Sequence, residues 1–386
     1  MRRAQRPKGD EVSSKDQEQD LAPADSTASS KRAALIFNPV KVDGPALCAL
    51  VERHSAEAGW QPPLLLETSV EDPGQATTRQ ALDENVDAVL VAGGDGTVRA
   101  VSEAIRGSGV PLTIVPSGTG NLLARNLRLP LDGQEDAVAG AFDGDTVEVD
   151  ICVAAIRRPD GHIEEHAFVV MAGMGLDAAM IANTKPELKK SVGWVAYVDG
   201  AARSLAGAEP FRITFEVVKN PIRRGQTQAI PTSARLHTAK VQSILFANCG
   251  ELPGGISLIP DGSVLDGELD VALMQPTGPF GWLGVWRKVW WDNSVLRRTR
   301  AGRAVLERRG RDASVRYLRG IAAEAATTVP QEVQLDGDEF GEATRVSCRI
   351  EKGNLLVNVP KGHDVRAKQP KADVQAATRG ATAERS

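Results

Sequence analysis

The chain has 386 residues, 42% of them apolar, and 46 Lys and Arg stand against 50 Asp and Glu for a net charge of −4. At about 150 residues per domain this length predicts two domains with some tail. The near-neutral balance gives no global polyanion-binding surface and so no nucleic-acid partner. The longest apolar run, residues 167–176, is stopped by Asp177 and is too short for a spanning helix.

Residues 1–31 and those from about 363 to 386 are polar and without period, and read as disordered tails. Arg2 and Arg3 are followed by no apolar stretch, so no secretory signal is expected. From Ala33 the chain alternates. Short apolar runs at 33–37, 64–66, 86–92 and 112–115 are separated by helical patterns at about 45–58, 74–84 and 97–105. Strands alternating with helices in this way predict crossover units and a parallel sheet, with ligands at the carboxyl ends of its strands. Beyond Asp143 the pattern changes to strand after strand, at 147–156, 165–171, 211–219, 239–248 and 269–274, with one helical interruption at 187–205. That half predicts an antiparallel sandwich or barrel. The expected fold is therefore an N-terminal α/β domain over 32–146 and a β-rich domain over 147–354. The run 355–359 is a candidate to return to the first domain. The cysteines at 48, 152, 249 and 348 form no metal-binding pair and predict a reduced, cytoplasmic setting.

Two loops carry chemistry. Gly93-Gly94-Asp95-Gly96-Thr97 follows a strand and opens a helix, where glycines let backbone N–H groups approach phosphate oxygens and the helix N-terminus favours negative charge. Asp95 is the unusual member: it either caps the helix or orients a metal-bound water or a nucleotide hydroxyl. Pro116-Ser117-Gly118-Thr119-Gly120-Asn121 occupies the equivalent place after the next strand, and the two together make a paired cradle. No GxxxxGK[ST] loop occurs, which excludes a P-loop enzyme.

These loops, with Ile36-Phe37-Asn38-Pro39, Val149-Asp150, Leu265-Asp266-Gly267 and Leu335-Asp336-Gly337-Asp338, resemble the diacylglycerol kinase catalytic family, which includes bacterial soluble lipid kinases and sphingosine kinases. The resemblance runs from about residue 33 to 360. It implies ATP- and Mg²⁺-dependent phosphorylation of a lipid hydroxyl, diacylglycerol first, in a cleft between the domains. It places the ATP contacts on Asn38, Thr68, Gly93 to Thr97, Gly118, Thr119 and Asn121. The proton acceptor falls at Asp336 or Asp338, which an extended chain would point to one side; Asp336 is the preferred base. The same residues also read as a hairpin turn, since Asp-Gly is a common turn pair. By the same resemblance Asp150 and Asp95 complete a carboxylate–water–Mg²⁺ network. The resemblance also implies a structural metal at Asp266, helped by backbone carbonyls near Ser263 and Glu268. The rival readings are an NAD kinase-like enzyme, a sphingoid-base kinase, or a catalytically silent nucleotide-binding regulator.

The chain departs from the family pattern in three places. Val40 to Gly44 replaces a Ser-Gly-Lys-like loop, leaving Lys41 as the candidate phosphate contact. Arg99-Ala100 replaces Asn-Glu, and Asp338 replaces the usual Glu. A further feature is a helical face of Trp282, Trp286 and Trp290 next to Trp291, leading into residues 287–319, where 11 Lys or Arg face three acids for a net +8. An aromatic face beside a basic one predicts either an interfacial helix on an anionic membrane or a helix packed on the second domain. The first reading gives peripheral attachment to the inner face of the membrane and a lipid substrate as partner; a homodimer is compatible with either.

Overall fold

The computed structural model describes residues 31–175, 209–219, 236–252, 256–257, 259, 262–275 and 315–365. The helical reading of 187–205, the tryptophan face and most of the basic stretch, Asp177, and nearly all of both tails lie outside these residues.

The first part runs β1 (Arg32–Phe37), α1 (Gly44–Glu57), β2 (Gln61–Glu67), α2 (Gln75–Asp83), β3 (Ala88–Gly93), α3 (Asp95–Ile105), β4 (Leu112–Pro116), α4 (Leu122–Asn126) and α5 (Gln134–Asp143). Strands β2, β1, β3 and β4 lie side by side and parallel. β1 and β3 are apolar along their length because both faces are covered. Ala34, Ile36, Val89 and Val91 enter one core, and Leu35, Phe37, Leu90 and Ala92 the other. β2 tolerates Pro62 and Pro63 because it is the edge strand. Asp43 caps α1 by accepting from the Ala46 N–H at 3.2 Å. Helix α5 has no counterpart in the sequence reading. It is short, and its buried face is only Val138, Gly140 and Ala141.

The second part holds β5 (Asp145–Arg157), β6 (Ile163–Phe168), β7 (Met171–Met174), β8 (Phe211–Val218), β9 (His237–Val241), β10 (Ser243–Ala247), β11 (Glu251–Leu252), β12 (Ile256–Ser257), β13 (Leu269–Met274), β14 (Val315–Gly320), β15 (Ala322–Leu335) and β16 (Asp338–Val359). Their mutual pairings are antiparallel. They enclose a second core around Phe168, Phe215 and Phe246, each at most 1% exposed. The fold class is thus as expected, an N-terminal parallel sheet with helices followed by an antiparallel strand region. β16 joins the two: it pairs with β15 and β5, then Val357 and Asn358 lie parallel beside Leu112 and Thr113 of β4.

Several strands differ from the sequence reading. The strand expected at 165–171 bends at Val169 and Val170, whose N–H groups turn away to a buried carboxylate. The strand expected at 239–248 breaks at Gln242, because β9 pairs with β8 whereas β10 pairs with β7 and β13. Strands β14, β15 and most of β16 were not foreseen. They are rich in Ala, Glu, Arg and Thr, and distant pairing overrides their weak local preference for strand.

Candidate active site

The carboxyl ends of the four parallel strands meet along one edge. β1 ends before Asn38, whose N–H donates to the Ala92 carbonyl at 2.9 Å and whose Oδ1 accepts from the Val40 N–H at 3.0 Å. β2 ends before Thr68, whose N–H donates to the Phe37 carbonyl at 2.9 Å. Thr68 is only 6% exposed, yet its hydroxyl has no partner among the described residues. A buried hydroxyl is normally bonded, so this one suits a ligand arriving at the strand ends. Lys41 is exposed, and its N–H closes a turn on the Asn38 carbonyl at 3.0 Å.

β3 and β4 feed the two glycine loops, and the loops touch. A side chain at Gly93 would meet Thr97 at 2.7 Å, and one at Gly118 would meet Gly94 at 3.1 Å, so both positions require glycine for close approach. Above Gly94 there is open space, with no atom within 4 Å of an added Cβ. Asp95 ties the loops together. Its Oδ1 accepts from the Leu122 N–H at 2.6 Å, and its other oxygen presses on Gly120. Burial raises its pKa, against the backbone donors that hold the charge. Asn121 closes the second loop on itself: its left-handed backbone (φ 47°) lets its side chain accept from the Gly118 N–H and donate to the Gly118 carbonyl, both at 2.9 Å. Thr119 is exposed on the loop's outer side. Asn38, Thr68, Gly93 to Thr97 and Gly118 to Asn121 therefore share one edge. It is a cradle of N–H groups and hydroxyls, open above Gly94, whose donors suit the phosphates of ATP.

The acids come from the antiparallel half, and their roles differ from the sequence reading. Asp336 (φ 51°) and Gly337 (φ 93°) form a type I′ turn between β15 and β16, with Leu335 paired to Asp338. Asp336 and Asp338 consequently diverge instead of sharing one side. Asp336 is 7% exposed and accepts three backbone N–H groups, from Val169 at 2.8 Å, Val170 at 2.9 Å and Met171 at 2.8 Å. Burial pushes its pKa up to about 6, but both oxygens are taken. Asp336 anchors the turn and is not placed as the base. Asp338, with its side chain 46% exposed, is the acid that reaches the glycine loop. A Cβ on Gly96 would lie 2.9 Å from its Oδ2 and 3.0 Å from its Oδ1.

Asp150 is held by backbone N–H groups. Its oxygens accept from the Gly267 N–H at 2.6 Å and the Gly353 N–H at 2.8 Å, while its own N–H donates to the Val264 carbonyl. It pins the 264–267 loop to β16. Around Asp266, where a metal helped by backbone carbonyls near Ser263 and Glu268 is expected, a cationic side chain is present. Arg319 already stands among the acids, 3.7 Å from Asp266, 3.2 Å from Glu268 and 2.8 Å from Asp270. The Ser263 hydroxyl accepts from the Leu265 N–H, and no group of three metal-ligating side chains occurs among the described residues. The Arg319 guanidinium offsets the repulsion among these acids. Even so, burial and then Asp270 and Glu268 push the Asp266 pKa up to about 6.

Behind Asp338 lies a group that sequence reasoning did not assemble: Arg99, Glu103, His166 and Phe340. Arg99 was visible only as a departure from pattern. The others join it from α3, β6 and β16 through contacts no local signal predicts.

Residues 32–154 match the model of the diacylglycerol kinase catalytic domain. A Pseudomonas aeruginosa protein named "Probable lipid kinase YegS-like" is 27% identical over 297 residues, 76% of this chain and 83% of that one. A diacylglycerol kinase of Mycobacterium tuberculosis is 28% identical over 195 residues, 50% of this chain and 57% of that one. A solved diacylglycerol kinase structure from Bacillus anthracis shares the fold with a TM-score of 0.60 at 20% identity, covering 85% of this chain and 97% of that one. Paired glycine loops, an acid delivered to them and these likenesses define a kinase of the lipid-kinase class. The match to the diacylglycerol kinase catalytic domain covers residues 32–154, the parallel-sheet part of the chain and most of β5.

Proposed function

We propose that the chain transfers the γ-phosphoryl group of ATP to a lipid hydroxyl, with diacylglycerol the leading acceptor and phosphatidic acid the product. The observation that carries this reading is Asp338 standing over Gly96: a carboxylate beside the phosphate cradle and still reachable from solvent. Bound ATP supplies the phosphoryl group, and Mg²⁺ neutralises the charge that develops on it. Phosphoryl transfer depends mainly on positioning and on that neutralisation. The loop N–H groups and the Thr68 and Thr97 hydroxyls bind and orient the phosphates, while Asp95 ties the two loops together. Asp338 takes the proton of the acceptor hydroxyl as its oxygen bonds to phosphorus and the bond to the ADP oxygen breaks. Asp336 keeps the turn rigid, so Asp338 stays within reach.

Peripheral attachment to the inner face of the membrane belongs to the same reading. The acceptor lies in a bilayer, and the Trp-rich, basic segment has the composition of an interfacial helix. The test is a screen with γ-labelled ATP against total lipid extract, diacylglycerol, sphingosine and NAD, with the labelled product identified by mass. Label in phosphatidic acid supports the reading. Label in NADP, or ATP binding without transfer to any lipid, overturns it in favour of a soluble-acceptor kinase or a silent regulator.

A further inference from the structure

Arg99 lies two residues beyond the glycine loop, on the first turns of α3, yet its side chain is only 5% exposed. Burying a guanidinium costs several kcal/mol unless it is paired, and here it is paired on every side. Nε and Nη2 donate to Asp338 Oδ2 at 3.2 and 3.1 Å. Nη1 donates to Glu103 Oε2 at 3.1 Å, and the guanidinium lies 4.9 Å from the centre of the Phe340 ring. Glu103 is held in turn by Gln75 at 3.2 Å and faces His166 Nδ1 at 3.4 Å, while the His166 ring lies 4.7 Å from Phe340. Bonds from His166, Gln75 and Arg99 keep Glu103 below the usual carboxylate range despite its burial.

The two bonds to Asp338 end on one oxygen. Among the described residues none is made to Oδ1, and both oxygens stand close to Gly96, Oδ2 2.9 Å and Oδ1 3.0 Å from where a Cβ would sit. We infer that Arg99 is a positioning residue for phosphoryl transfer: its guanidinium fixes Asp338 by Oδ2 so that Oδ1 is presented to the acceptor hydroxyl, with Glu103 and Phe340 holding the guanidinium. This rests on the proposed role of Asp338. A half-exposed aspartate at the start of a strand would otherwise turn freely toward water. The two departures from the family pattern answer each other: the acid at 338 is one methylene shorter, and the residue at 99 is long enough to reach it.

The test is steady-state kinetics on the lipid that the wild type labels. Misplacing a reacting group by about an ångström costs about a hundredfold, so Arg99→Ala lowers kcat by about that factor while KM for ATP stays within about twofold. Arg99→Lys, which keeps the charge, recovers part of the loss. In an Asp338→Asn background Arg99→Ala causes no further loss, and Asp338→Glu restores activity to Arg99→Asn. Should Arg99→Ala not fold, Glu103→Gln leaves the guanidinium but loosens it, and a several-fold loss in kcat at constant KM is expected. Unchanged kcat in an active enzyme, or equal losses with and without the Asp338 carboxylate, overturns the inference alone. A wild type that labels no lipid overturns the kinase reading and the inference with it.

Discussion

Two carboxylates two positions apart, Asp336 and Asp338, end in opposite situations, and the difference is the number of N–H groups each receives. Asp336 meets three at the 169–171 bend and is spent on structure. Asp338 meets a guanidinium on one oxygen and keeps the other. Thr68 gives a second residue-scale test. Its hydroxyl is buried with no partner among the described residues, so Thr68→Val removes no hydrogen bond made there. Thermal stability should be unchanged or slightly higher, while KM for ATP rises several-fold; a fall in stability with unchanged KM would show that the hydroxyl serves the fold. Asp266 gives a third. Its folded pKa of about 6 lies above the ordinary 3.8, so the folded chain binds more protons there, and stability from this residue falls as pH rises from about 4 to 6. Asp266→Asn removes that loss and keeps the acceptor for the Glu268 N–H. Allowing for solvent screening, melting near pH 7.5 should rise by about 2 °C, with no gain near pH 4. A melting point lowered equally at both values contradicts this.

At the scale of elements, the loops are built so that neighbours touch backbone to side chain. Gly96 is the sharpest case, since an added methyl would crowd only the end of Asp338. Gly96→Ala should lower kcat at least about tenfold, as displaced catalytic groups do, with melting within about 2 °C of wild type. A large loss of stability instead would mean that the loop itself had been disturbed. Both glycine loops and the parallel strands feeding them were legible in the sequence because their signals are local: apolar runs buried on two faces, then glycines where chains approach. The antiparallel half was legible only in its β-branched strands. β15 and β16 carry alanines and charges whose strand state comes from partners as distant as β5. For the same reason the sequence could not separate Asp336 from Asp338, or bring Arg319 to Asp266. Those assignments depend on which distant N–H groups or cations arrive.

Across the whole molecule, β16 is the mechanical link. It begins at Asp338 beside the glycine loop and ends beside β4 in the parallel sheet. The acid and the phosphate cradle are thereby held by one strand. Access to a lipid acceptor would come from the Trp-rich basic segment, so Trp286→Ser with Trp290→Ser should reduce sedimentation with anionic vesicles and leave the melting curve in place. Unchanged sedimentation would assign those tryptophans to the protein's own interior. The central claim, that Asp338 receives the acceptor's proton at a loop that binds ATP independently of it, is tested most directly by comparing wild type with Asp338→Asn for both ATP binding by calorimetry and label transfer to lipid. ATP affinity within about threefold of wild type, together with a loss of transfer of about a thousandfold, is the predicted result. Transfer that survives the substitution would contradict it.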